Sequence, residues 1–116
     1  MAKSNEPIWW SLFGAGGAVA ALLLPIHIFL TGLAGPLGWV SAVAFDFARV
    51  QTLLAHPITR LYCFVLISLP LFHAAHRIRF TLVDLGIRGV DMFLAVVCYG
   101  AAIVGTLVTA GVLWTF

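Results

Sequence analysis

Three long apolar runs organise this chain. No Asp, Glu, Lys or Arg occurs from Pro7 to Phe45, from Leu61 to His76 or from Met92 to Phe116. A helix needs about 20 apolar residues to cross a bilayer, so the pattern predicts three transmembrane helices, at about 9–34, 58–82 and 92–114. The expected fold class is all-α, an integral membrane protein whose three helices form a single domain over 1–116. Pro7 suits the first turn of the first span, with Trp9 and Trp10 entering at headgroup level. Pro25 removes a backbone hydrogen bond inside that span and should bend it, and Gly35-Pro36-Leu37-Gly38 ends it. Between Gly38 and Pro57, Asp46, Arg49, Gln51 and His56 are scattered among apolar residues, which predicts an interfacial connection with one short amphipathic helix.

The second span has Arg60 near one headgroup layer, Arg77 and Arg79 near the other, and Pro70 as a second kink site. In the third, Ala101, Gly105 and Thr109 recur every four residues as a small-residue packing seam, and Trp114 anchors the far end. Gly14-Ala15-Gly16-Gly17-Ala18 in the first span offers a surface without bulky side chains, open to a neighbouring helix or a flat ligand. With three spans the N-terminus shares a side with the loop joining the second and third. That side holds Lys3, Arg77, Arg79 and Arg88, against Arg49 and Arg60 opposite. The imbalance places the N-terminus in the cytoplasm and the C-terminus outside.

Composition narrows the function classes. The 116 residues are 63% hydrophobic and 9% charged, where soluble domains carry about 25% charged residues. Three spans leave no room among them for a catalytic, nucleotide-binding or redox domain outside the membrane, so any chemistry must occur at the helices or in partner subunits. No nucleotide-binding motif or positioned nucleophile is present. A net charge of +2, dispersed along the chain, does not point to nucleic acid. Cys63 and Cys98 lie in separate spans without metal-ligand neighbours and are expected to be buried apolar residues, so no metal site is predicted. Ala18-Val19-Ala20 mimics a signal cleavage site, but the apolar stretch continues to Leu33, and the span is expected to be retained.

The polar chemistry concentrates at the end of the second span, in Leu69-Pro-Leu-Phe-His-Ala-Ala-His-Arg-Ile-Arg-Phe-Thr-Leu-Val-Asp84. On a helix, His73, His76, Arg77 and Asp84 share an arc of about 100°, with Phe80 among them and Arg79 turned away. Polar residues at a membrane edge either snorkel to the headgroups or line a site where something polar meets the bilayer. A quinone site requires a flat apolar slot, hydrogen-bond donors at the ring oxygens and a nearby cation. Arg77 offers fixed donors and a permanent charge, Trp10 an indole N–H on a flat apolar body, and His76 a proton carrier that titrates near neutrality. Headgroup anchoring fits the same residues. His73 and His76, three residues apart on one helix, cannot both ligate one haem iron. His27 and His56 have no sequence companions that would mark them as functional. A small transporter would need a membrane-embedded carboxylate, which the first and third spans lack.

Glu6-Pro-Ile-Trp-Trp-Ser-Leu-Phe-Gly-Ala-Gly-Gly17, then Leu69-Pro-Leu71, His76-Arg77 and Asp84-Leu85, in this order and at these intervals, closely resembles the small membrane anchor of quinol:fumarate reductase, its D subunit. The resemblance covers nearly the whole chain, and the EPxxWxLFGAGG head with the LPLxxxxHR segment is its specific part. It implies three partners: a second three-helix anchor packed beside this one, an iron-sulfur protein, and a flavoprotein with covalent FAD. Together these would form a complex at the inner face of a bacterial cytoplasmic membrane that reduces fumarate with menaquinol in anaerobic respiration. It also implies a quinone site near the iron-sulfur protein to which Trp10 and Arg77 contribute, with His76 as a weaker member, and no fumarate chemistry on this chain. In related succinate dehydrogenase anchors a histidine ligates haem. Laid on His73, Arg77, Arg79, Asp84 and Gly86, that pattern puts Phe80 at the ligand position, so no haem is expected here. A purely structural anchor, or an anchor of succinate dehydrogenase, is the alternative reading.

Overall fold

The computed structural model describes residues 6–115, without the side chains of Glu6 and Trp9. The expected polar head with Lys3, and the headgroup placement of the Trp9 ring, therefore lie outside the described residues. Every regular element among them is helical: α1 (Glu6–Leu22), α2 (Leu24–Phe29), a π turn (Leu30–Ala34), a 3-10 turn (Ala42–Phe45), α3 (Phe47–Ala55), α4 (Pro57–Asp84) and α5 (Asp91–Leu113). Three stretches, Trp10–Ala34, Pro57–Asp84 and Asp91–Leu113, are long and apolar enough to cross a membrane. The unit measures 55 × 28 × 21 Å, so its long axis exceeds the roughly 40–45 Å of a bilayer with its headgroups.

The first span is segmented rather than merely bent. Pro25 has no N–H for the Ala21 carbonyl, and the helix is interrupted at Leu23 before α2 resumes. The π turn that closes the span is held by the Gly35 amide donating to the Leu30 carbonyl at 2.9 Å. The connection then contains the short amphipathic helix, α3. It is fastened to α4 by Arg60, whose Nε donates to the Leu54 carbonyl at 2.7 Å. His56 caps α4, its Nδ1 accepting from the Ile58 amide at 3.2 Å. At the other end Gly86, with φ +102, lets the chain reverse. The Ile87 amide reaches the Leu82 carbonyl at 3.1 Å and the Gly86 amide the Val83 carbonyl at 3.0 Å, the bond pair that terminates a helix on a left-handed residue.

α4 is central, packing against α1 on one side and α5 on the other. Burial is sparse: Ala75, Cys98, Tyr99 and Ala102 form the core cluster, with Leu71, Phe72 and Ala95 against it. In lipid, helices associate through close van der Waals contact rather than expulsion of water, which favours small residues at the seam. The seam on α5 runs through Cys98, Ala102 and Gly105, and a Cβ on Gly105 would lie 3.0 Å from Leu71. Ala101, expected in that seam, faces outward; one residue of helical rotation separates it from the contact face. Cys98 is buried as expected, whereas Cys63 is only half-buried, and both are free thiols.

Candidate functional site

α1 and α4 run antiparallel, so the first turns of α1 meet the last turns of α4. Glycine makes the contact close. A Cβ on Gly16 would collide with the Leu69 carbonyl oxygen and lie 2.8 Å from His73 Cβ, and one on Gly17 would lie 3.0 Å from the His73 ring. The imidazole of His73 occupies that notch, and its Nδ1–H donates to the Phe13 carbonyl at 3.0 Å; the carbonyl can only accept, so Nδ1 carries the proton. The helix-packing role of the glycine run is thus carried by Gly16 and Gly17, while Gly14 has open space where a side chain would be.

Above the notch the aromatic rings form a continuous cluster. Phe13 is its hub, stacked on His73 (centroids 4.5 Å, planes 11° apart) and on Trp10 (5.0 Å, 14°), and tilted against His76 at 4.5 Å. Trp10 lies 5.5 Å from His76, and Phe80 lies 4.7 Å from His76 on the other side. Trp10 and His76, far apart in sequence, therefore share one edge of the bundle. Trp10 is 62% exposed, so much of it faces out of this chain.

Arg77 is exposed and has no hydrogen bond or ion pair among the described residues. It lies one helical turn beyond His73, hence on the α1 side of α4 and at the same end as Trp10. Trp10, His76 and Arg77 are brought to one edge, with His76 half-buried between two outward-facing groups. Asp84, on the same arc, is the exposed last residue of α4.

Three features were missed by sequence reasoning. Tyr99 of α5 hydrogen-bonds His76, with 2.9 Å between the phenol oxygen and Nδ1. Arg79, turned away from the polar arc, nevertheless joins the group from behind: its Nη1 donates to the same phenol oxygen at 3.5 Å, and its guanidinium lies 5.0 Å from the Phe80 ring centroid and 5.6 Å from that of Tyr99. At the opposite end of the bundle His27 does have a companion, Tyr62, at 2.7 Å between Nε2 and the phenol oxygen. The chain contains two tyrosines and both bond a histidine. A phenol inside an apolar span needs a partner, and that was the available signal.

Among known proteins, the family model for the D subunit of fumarate reductase matches residues 1–114. The fumarate reductase D subunit of Mycobacterium tuberculosis is 47% identical over 111 residues, covering 94% of this chain and 86% of that protein. Its counterpart in Vibrio cholerae serotype O1 is 38% identical over 104 residues, covering 86% of this chain and 76% of its own length. That of a Shewanella species is 38% identical over 112 residues, with 96% and 92% covered. The three apolar spans and these extended matches agree from end to end, and the chain belongs to the fumarate reductase D-subunit family.

Proposed function

We propose that this chain, a multi-pass membrane subunit of a fumarate reductase, tethers the catalytic subunits to the bacterial cytoplasmic membrane and contributes to the site where menaquinol is oxidised. The reading rests on one juxtaposition: Trp10 of the first span and His76 of the second lie 5.5 Å apart, with Arg77 one residue on. Menaquinol supplies two electrons, passed to the iron-sulfur protein, and two protons. Trp10 offers one neutral N–H donor beside a flat ring face. Arg77 offers fixed donors and a positive charge where negative charge would develop on a ring oxygen. His76, held between them, is placed to donate to or accept from the same oxygen.

Trp10 and Arg77 both face outward, so the pocket is completed by another surface. The iron-sulfur protein and the second anchor are the partners that the family suggests, with FAD in the flavoprotein and the clusters in the iron-sulfur protein. Phe80 fills the space beside His76 with a ring that cannot ligate iron, in keeping with an anchor that carries no haem on this chain. Direction of flux belongs to the quinone potential, so succinate oxidation runs over the same residues in reverse.

Arg77→Leu tests the assignment in the intact complex. Losing a charged donor from a desolvated site costs about 1.5–3 kcal/mol, so quinol-dependent fumarate reduction should fall more than about tenfold. Activity with reduced benzyl viologen, which bypasses the membrane site, should stay nearly unchanged. Equal loss of both activities would assign Arg77 to assembly, and a change below about twofold would leave this chain as a structural anchor only.

A further inference from the structure

We propose that Tyr99 is a positioning residue for His76, fixing which imidazole nitrogen faces the site. The inference rests on the quinol-site reading for its functional consequence, though not for its geometry. Tyr99 is 9% exposed, and its ring is locked in the core beside Ala75, Cys98 and Ala102, so the hydroxyl has little freedom to move. Two groups converge on its oxygen: Nδ1 of His76 at 2.9 Å and Nη1 of Arg79 at 3.5 Å.

A guanidinium has donors and no acceptor. Arg79 therefore occupies a lone pair of the phenol oxygen, and donation to that oxygen strengthens the phenol as a donor in turn. In the proposed arrangement the phenol proton is directed to His76, whose Nδ1 then accepts. A neutral imidazole that accepts at one nitrogen carries its proton on the other, so His76 presents Nε2–H. With Nδ1 held on α5, Nε2 is the nitrogen left for a ligand at the edge that Trp10 and Arg77 share, and it has no hydrogen-bond partner among the described residues. Tyr99 acts on that edge through its bond to His76. Arg79, which lies over Phe80 and Tyr99, biases the same proton from behind.

The test uses the intact complex with 15N-labelled histidine, the His76 signals being assigned by their loss in His76→Gln. In the native complex Nδ1 of His76 should be unprotonated and Nε2 protonated. Tyr99→Phe keeps the packed ring and removes the hydroxyl, so the two tautomers should mix. With a short-chain menaquinol as donor, kcat/KM should fall about three- to tenfold, the factor expected for one lost hydrogen bond, while benzyl viologen activity is kept. Because Tyr99 acts through His76, the double variant Tyr99→Phe with His76→Gln should be no slower than His76→Gln alone, a non-additivity that a packing defect would not produce.

A protonated Nδ1 in the native complex, or an unchanged tautomer in Tyr99→Phe, overturns the proposal. If Tyr99→Phe does not assemble, the native Nδ1 signal still decides, and Arg79→Gln, which leaves the phenol in place, should shift the tautomer part of the way. If the tautomer shifts as expected but His76→Gln oxidises quinol normally, positioning by Tyr99 stands and the role of His76 in the quinol site is what fails.

Discussion

Trp10 combines two properties rarely needed together, a large apolar face and one hydrogen-bond donor. Phe13 stacks on its ring at 5.0 Å, and the His73 bond to the Phe13 carbonyl ties the backbone beneath it to α4. The indole is therefore held in place on one face and open on the other. Trp10→Phe should preserve the stack and remove the N–H. Loss of one neutral hydrogen bond predicts a fall in quinol kcat/KM of about three- to tenfold, with benzyl viologen activity unchanged; equal kinetics would mean that only the ring matters. Arg77 and Arg79 show how two identical side chains two residues apart serve different ends. Arg77 projects outward beside α1, while Arg79 lies over Phe80 and Tyr99 toward α5.

Between helices, the α1–α4 contact depends on the absence of one carbon atom. A Cβ at Gly16 would run into the Leu69 carbonyl and the His73 side chain, and both are set by the α4 backbone, so the helices themselves must part. Overpacking of this kind costs about 1–3 kcal/mol. Gly16→Ala should accordingly lower the thermal midpoint of the complex in detergent and weaken quinol oxidation through displacement of Phe13 and Trp10. Gly111→Ala, whose Cβ would meet nothing in this chain, should leave the midpoint where it is. An unchanged midpoint in Gly16→Ala would mean that the α1–α4 contact relaxes freely. Segmentation of the first span belongs here too: Pro25 predicts a disturbance, and the interruption at Leu23 and the π turn at Leu30–Ala34 show that it spreads over the C-terminal half of the span.

The assembled three-span unit buries little of itself. Large side chains such as Ile28, Phe29, Val96, Val104 and Leu107 remain exposed, which suits a surface shared between lipid and partner subunits. Its charged groups sort to the two ends, and the proposed cytoplasmic N-terminus rests on the count of Lys and Arg on each side. With Cys63 replaced by Ala and a single cysteine introduced, a membrane-impermeant maleimide should label Thr115→Cys in intact cells and Asn5→Cys only after lysis. The opposite pattern would move the Trp10–His76–Arg77 edge to the outer face and detach it from any cytoplasmic catalytic partner.

The number of spans, the short amphipathic helix between the first two and the polar face on the second were legible in the residues, because hydrocarbon admits so few alternatives that local composition is enough. Trp10, His76 and Arg77 could be proposed for the same reason: polar groups near the end of an apolar span are few. What those groups touch was not legible. Whether Arg79 meets Tyr99, whether His27 meets Tyr62 and whether Ala101 or Ala102 lies in the seam depend on how each helix is rotated about its axis. That rotation is set by contacts such as His73 in the Gly16–Gly17 notch, between residues distant in the chain. One residue of helical rotation is about 100°, enough to exchange a lipid-facing side chain for a buried one, and no local pattern in an almost uniformly apolar sequence records it.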